Sequence, residues 1–124
     1  MIGVVDRLAR VLAGEPVACP VELPPGVEVR RSRWIPGLGG RLSRMGGPAA
    51  AVTLGRTILV HPSVRPTARL MRHELAHVEQ WMRQPFAFPF RYTAAHIRHG
   101  YAGNPYESEA RAAEAGAVEP GDPA

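Results

Sequence analysis

The sequence lacks several features that define whole classes of protein. Its single cysteine, Cys19, excludes a disulfide framework and a cysteine-based zinc finger. No apolar run approaches about 18 residues, which excludes a membrane-spanning helix. Asp6, Arg7 and Arg10 interrupt the apolar N-terminal stretch, so it does not fit a secretory signal. The chain, 45% hydrophobic, is therefore predicted to form one soluble cytoplasmic domain over residues 1–115, with no membrane partner.

Lysine is also absent, so all fifteen basic residues are arginine. Residues 1–99 carry a net charge of +8, whereas residues 100–124 carry −4. An arginine-rich body can attract polyanions, so a nucleic-acid or other polyanion binder is one alternative function. We do not expect nucleic acid to be the main partner, because the basic body can attract the acidic tail of its own chain. Residues 116–124 are predicted to be that flexible tail, which could support self-association or autoinhibition.

Hydrophobic periodicity and turn residues predict an α+β chain. The first helix is expected to pack through a stripe formed by Val4, Val5, Leu8, Val11 and Leu12. The phenylalanines at positions 86, 88 and 90 are expected in the core or in a pocket wall. The predicted elements are, in chain order, a helix over 2–12, a strand over 27–30, strands over 51–54 and 57–60 joined by a tight turn, a helix over 67–84, a helix over 91–99 and a helix that begins at Asn104.

The long predicted helix contains an HExxH motif at residues 73–77. At about 100° per residue, both histidines fall on one face, away from the apolar stripe that begins at Met71. Two imidazoles four residues apart can bind one ion from the same side, and neutral imidazole is a zinc ligand. Glu74 follows His73 too closely to join it as a ligand, but it can take a proton from the metal-bound water as a general base. An amphipathic helix with incidental histidines is the alternative explanation.

The string HELAHVEQW, followed thirty residues later by NPYESEA, resembles the gluzincins, metallopeptidases that bind zinc through two histidines and a glutamate. The small size is most similar to the minimal gluzincins, which consist of one small domain. The resemblance covers residues 50–115. It implies a zincin-like α+β fold, in which a small mixed or antiparallel sheet packs on the HExxH helix and on a second helix that carries the glutamate. It also implies Zn²⁺ as the cofactor, His73, His77 and Glu107 as its ligands, and a peptide or protein as the substrate.

The resemblance suggests a role for one of the strands. In gluzincins, a sheet edge beside the active-site helix pairs with an extended peptide. The run Thr57–Val60 is expected to be that edge, and an internal strand is the alternative.

The role of Glu107 also has alternatives. Glu109, two residues further on, is the second candidate ligand that the resemblance implies. Asn104 and Glu107 also match a capping box, and Glu107 could form an ion pair with Arg111 one turn later. Arg111 stands where many gluzincins have an aspartate that supports a ligand histidine. Glu79, Glu109 or a backbone carbonyl are the candidates to replace that aspartate.

An oxyanion in the transition state needs a hydrogen-bond donor besides the ion. The resemblance suggests a tyrosine or histidine between the motif and the second helix. Tyr101 is the first candidate for this catalytic role, and Tyr106, His96 and His99 are alternatives.

The sequence therefore predicts a zinc metalloendopeptidase, active or latent. Glu74 would activate the water and then protonate the leaving amine, with help from Tyr101. The first alternative keeps the fold and the ion without turnover, as a latent or inert zinc-binding interaction domain. The second alternative is the polyanion binder.

Overall fold

The computed structural model describes residues 2–32, 51–62 and 64–116. These residues form four helices and three short strands, and the predicted α+β class is confirmed. No helix of this described part is both long and apolar enough to cross a membrane. The predicted tail over 116–124 lies outside the described residues beyond Gly116. The elements are α1 (Ile2–Leu12), β1 (Glu28–Arg31), β2 (Ala51–Leu54), β3 (Thr57–Val60), α2 (Ala68–Arg83), α3 (Phe88–Gly103) and α4 (Pro105–Gly116).

The three strands form a mixed sheet with β3 at its centre. β3 pairs in parallel with β1 and antiparallel with β2. All four residues of β3 are buried, as expected for a strand whose sequence does not alternate between polar and apolar residues. The prediction that Thr57–Val60 is a sheet edge is therefore wrong, and the alternative of an internal strand is confirmed. Among the described strands, β2 lies at an edge.

The turn between β2 and β3 requires glycine. Gly55 has a φ of 61°, and a Cβ added there would lie 2.7 Å from Oδ1 of Asp6. Asp6 accepts hydrogen bonds from the backbone N–H of Arg56 at 3.1 Å and from its guanidinium at 2.8 Å. This close approach attaches α1 to the sheet.

α1 packs through a different face from the one that its large apolar residues predict. Ala9, one turn after Asp6, is fully buried. Val4, Leu8 and Val11 are 70%, 54% and 82% exposed. The predicted packing stripe is therefore wrong for these three residues, whereas Val5 is half-buried. Residues three apart share a helix face, and the ion pair of Asp6 turns the face of Asp6 and Ala9 towards the sheet.

α2 is confirmed as a helix with two buried faces. Thr67 begins it, because its side-chain oxygen accepts a hydrogen bond from the backbone N–H of Leu70 at 3.1 Å. One face adds Met71 and Val78 to the core around Ile58. The other face lies against β2 and α4, and its buried residues include Glu74, His77, Gln80 and Trp81.

α3 is longer than the predicted helix over 91–99, and it contains a break at Gly100, where φ is 73°. Phe88 is 4% exposed and packs on the ring of Trp81, with 5.2 Å between centroids. Phe86 and Phe90 are 66% and 71% exposed. The prediction of a core or pocket-wall position is therefore confirmed for Phe88 and wrong for the other two, which lie on the outer side of the chain.

Candidate metal centre

α2 directs two imidazole rings at one carboxylate of α4. The rings of His73 and His77 lie one turn apart, with 5.0 Å between centroids. Nε2 of His73 lies 3.0 Å from Oε1 of Glu107, and Nε2 of His77 lies 3.1 Å from the same oxygen. The three side chains are only 11%, 9% and 5% exposed. These three groups could hold a metal ion.

The start of α4 fixes the position of Glu107. Asn104 is fully buried, and its side-chain oxygen accepts a hydrogen bond from the backbone N–H of Tyr106 at 2.9 Å. Pro105 takes the first helical position, so the predicted cap is confirmed. Glu107 therefore lies in the first turn of α4, and its carboxylate faces the histidines rather than closing a capping box.

The other residues proposed around Glu107 have different contacts. Glu109 accepts hydrogen bonds from Gln80 at 3.1 Å and from Arg83. Arg111 donates to the backbone oxygen of Ala102 at 2.9 Å, so it connects α4 to the end of α3. The structure thus brings Glu107, and not Glu109, to both histidines.

Gln80 holds the second nitrogen of His77. Oε1 of Gln80 lies 2.8 Å from Nδ1 of His77. The amide nitrogen of Gln80 donates to the backbone oxygen of Tyr106 at 2.9 Å and to Glu109, so its oxygen must be the atom that faces the ring. Nδ1 of His77 is therefore the donor, and Nε2 is the nitrogen left for a metal. Gln80 was not among the predicted site residues, although its spacing of three from His77 places it on the same helix face.

Glu114 holds the second nitrogen of His73. Its Oε2 lies 2.7 Å from Nδ1 of His73, and its Oε1 accepts an ion pair from Arg69 at 3.1 Å. Glu114 was not among the predicted site residues, and Glu79, Glu109 or a backbone carbonyl were expected to give this kind of support. Glu79 is exposed on α2, and Glu109 reaches the histidines only through Gln80.

Glu74 lies beside the metal-binding group and is 4% exposed. The hydroxyl of Thr53 on β2 lies 3.1 Å from Oε2 of Glu74 and 3.2 Å from its backbone oxygen. Trp81 donates to the backbone oxygen of Thr53 at 3.2 Å and fixes this part of β2. Burial raises the pKa of Glu74, because the charged carboxylate loses its hydration.

Glu107 and the two rings change each other's protonation. Burial opposes ionisation of Glu107, but hydrogen bonds from His73 and His77 outweigh it and hold its pKa well below the usual range. Burial also disfavours the imidazolium of His77, yet the bond to Glu107 and the charge of Glu74 raise its pKa to about 9. Burial also disfavours the imidazolium of His73, but the hydrogen bond to Glu107 and the charge of Glu74 raise the pKa of this ring. The positive charge of the protonated rings thus balances the negative charge of the carboxylates. A divalent cation that binds here must displace the ring protons.

The raised pKa values of the histidines predict a pH dependence of metal affinity. Both rings must be neutral to bind an ion, so affinity is expected to rise with pH until it levels off above about 9, the pKa of His77. Below that range each displaced proton makes affinity change about tenfold per pH unit. Zinc affinity measured between about pH 6 and pH 9, in competition with a chelator, checks this. A profile flat from pH 6 would show that the rings are already neutral or are not ligands.

Tyr92 of α3 belongs to the site, although it was not among the predicted site residues. Its hydroxyl donates to Oε2 of Glu107, the carboxylate oxygen that does not face the histidines. Its ring lies edge-on to His77, with 6.1 Å between centroids, and stacks on His96. Burial and the charge of Glu107 raise the pKa of Tyr92, so the hydroxyl keeps its proton. The spacing of four between Phe88, Tyr92 and His96 could have indicated that they share a face.

None of the predicted oxyanion donors belongs to the group that could hold the ion. Tyr101 follows the break at Gly100, and the guanidinium of Arg111 lies 5.6 Å from its ring centroid. Burial raises the pKa of Tyr101, and the charge of Glu107 adds to the increase. The role of Tyr101 stays a prediction. Among the alternatives, Tyr106 packs on Phe88, His96 stacks on Tyr92 and His99 is exposed.

The fold and the site define a small α+β domain with a His–His–Glu group that could hold a metal ion. Residues 39–85 match the family model of the eCIS core domain, a metallopeptidase-like domain in contractile injection systems. The matched stretch includes β2, β3 and α2, and therefore the HExxH motif, but it ends before Glu107. Comparisons with curated proteins and with solved structures returned no match.

Proposed function

We propose that this chain is a zinc-dependent metallopeptidase in which His73, His77 and Glu107 hold Zn²⁺. One observation carries the proposal: the Nε2 atoms of both histidines approach the same carboxylate oxygen. Two imidazoles and one carboxylate are the donors of catalytic zinc sites that keep a position open for water. Residues 39–85, which match the family model of the eCIS core domain, include the HExxH motif that supplies two of the proposed ligands.

Glu74 is the proposed general base and acid. Zinc, when bound, would lower the pKa of a water and polarise the scissile carbonyl. Glu74 takes a proton from the attacking water while the water oxygen bonds to the carbonyl carbon. It then gives that proton to the leaving amine as the C–N bond breaks. The raised pKa of Glu74 suits this task, because a carboxylate of raised pKa is a stronger base.

Two tyrosines are proposed for different tasks. Tyr92 donates to Glu107 and orients this ligand. Tyr101 is the proposed donor to the oxyanion that develops on the carbonyl, as the resemblance to the gluzincins implies.

The proposed substrate is an extended peptide that pairs with β2. β2 is one of the two outer strands among the described strands, and the Thr53 hydroxyl on it contacts Glu74. A peptide added at that edge would pass directly beside the proposed base.

The second candidate is a latent or inert zinc-binding interaction domain with the same site. The exposed apolar side chains of Val4, Leu8 and Val11 favour it, because three such residues on one helix face are typical of an interaction surface. Polyanion binding is less favoured, since several arginines of the described part are committed to ion pairs. Those pairs are Arg30 with Glu28, Arg56 with Asp6, Arg69 with Glu114 and Arg83 with Glu109.

Removal and return of zinc tests the proposed function. The purified chain is expected to hold about one zinc and to hydrolyse casein or a mixed-peptide substrate. A chelator should abolish hydrolysis, and stoichiometric zinc should restore it. Bound zinc without hydrolysis would favour the inert domain, and no bound zinc at neutral pH would overturn both candidates.

A further inference from the structure

Both nitrogens of His73 contact carboxylates from α4. Glu107 lies 3.0 Å from Nε2, and Glu114 lies 2.7 Å from Nδ1. Glu107 and Glu114 are seven residues apart, about two helical turns, so their side chains leave the same face of α4. The ring is therefore held between two carboxylates of one helix.

We propose that Glu114 is the positioning residue of this metal centre, and the proposal rests on zinc binding as proposed above. Glu114 keeps the proton of His73 on Nδ1 and directs Nε2 at the ion. A carboxylate that accepts from the far nitrogen fixes the tautomer and the ring orientation, and it raises the basicity of the ligand nitrogen. Glu114 does not touch the ion or the substrate, so its effect passes through His73.

Arg69 fixes Glu114 in turn. Its Nε lies 3.1 Å from Oε1 of Glu114, the oxygen that does not face His73. Arg69 precedes His73 by four residues, so the two share a face of α2. One oxygen of Glu114 thus contacts the guanidinium and the other contacts the ring, which restricts rotation of the carboxylate.

The residue one turn after Glu107 does not compete for this role. Arg111 donates to the backbone oxygen of Ala102 at 2.9 Å and to the hydroxyl of Ser108 at 3.2 Å. The support for His73 comes instead from the residue two turns after Glu107.

The two histidines are supported by chemically different partners. Glu114 presents a carboxylate to His73, whereas Gln80 presents a neutral amide oxygen to His77. A hydrogen bond to a charged acceptor is about twice as strong as one between neutral groups. Glu114 also lies partly exposed, at 22%, whereas Gln80 is 1% exposed. Glu114 can therefore be replaced with less damage to the core.

The test compares Glu114→Ala and Glu114→Gln with the native chain and with Glu79→Gln, an exposed control on α2. Zinc affinity is measured by competition with a chelator, and ring ¹⁵N shifts report the tautomer of His73 in the metal-free chain at a pH where this ring is neutral. Glu114→Ala is expected to weaken zinc binding about 10- to 100-fold and to lose the Nδ1–H tautomer as the dominant form. Glu114→Gln keeps an acceptor oxygen, so it is expected to retain the tautomer with a smaller loss of affinity.

Native affinity and an unchanged His73 tautomer in Glu114→Ala would overturn the proposal. A second outcome would also overturn the proposal. In it, Glu114→Ala loses zinc affinity and the metal-free variant unfolds at a lower temperature, but the tautomer of His73 is unchanged. Neither readout needs turnover. A chain that binds zinc but hydrolyses no peptide would disprove the peptidase, while the two readouts still decide the role of Glu114.

Discussion

Replacement of Glu74 by glutamine is expected to reduce peptide hydrolysis about 10²- to 10⁴-fold, the usual contribution of a positioned general acid or base. Glutamine has nearly the same shape and can still accept the hydrogen bond from Thr53. It cannot take a proton from water or return one to the leaving amine. Because Glu74 is not placed among the three groups that could hold the ion, zinc content is expected to stay at about one per chain.

The folded state should tolerate this change. Burial raises the pKa of Glu74 above its ordinary value. Ionisation of this carboxylate therefore lowers the free energy of unfolding once the pH exceeds the ordinary pKa of a glutamate. Glutamine carries no charge, and the metal-free variant is expected to unfold at a temperature no lower than the native chain.

Zinc content and hydrolysis of a mixed-peptide substrate, measured side by side, check this prediction. The Glu79→Gln variant is the matched control, because Glu79 is an exposed glutamate on the same helix. Glu79→Gln should keep both zinc and activity. Undiminished hydrolysis by Glu74→Gln would remove Glu74 from the mechanism. Zinc in both chains with hydrolysis in neither would support the inert zinc-binding domain.

Replacement of Glu107 by alanine is expected to abolish the stabilisation that zinc gives the fold. Glu107 is the only one of the three proposed ligands that lies outside α2, so zinc bound through it joins α4 to α2. A ligand present at about 1,000 times its dissociation constant stabilises the folded state by about 4 kcal/mol. The native chain should show an increase of this size on addition of zinc, whereas Glu107→Ala should show almost none.

Thermal unfolding with and without zinc measures this difference. Glu109→Ala is the matched control, because Glu109 lies on the same helix and contacts Gln80 and Arg83 rather than the histidine Nε2 atoms. Glu109→Ala should keep most of the zinc-dependent increase. If Glu107→Ala kept that increase and Glu109→Ala lost it, Glu109 would be the ligand, which the resemblance gave as the second candidate.

The positions of His73, Glu74 and His77 on α2 followed from the sequence because they depend on one helix. A spacing of four residues places two side chains on one face, and the apolar residues of the same helix define the opposite face. The start of α4 could also be predicted from neighbouring residues alone. Asn104 caps it and Pro105 opens it, so Glu107 had to lie in the first turn.

The packing face of α1 could not be read from its periodicity. Its large apolar residues predicted a buried stripe, but Val11 is 82% exposed and Ala9 is fully buried. The ion pair between Asp6 and Arg56 decided the orientation, and its partners are fifty residues apart. In α3, Phe90 was likewise expected in the core or in a pocket wall, but it is 71% exposed.

The sequence by itself determined the α+β class and the two histidines and the glutamate of the HExxH face, because these follow from spacing within single helices and strands. The tertiary structure decided which groups meet that face: Oε1 of Glu107, the hydroxyl of Tyr92 and the carboxylate of Glu114. These contacts depend on how α3 and α4 are rotated and shifted along α2. Periodicity within one helix gives the direction of its own side chains but not the position of the helix that they will meet.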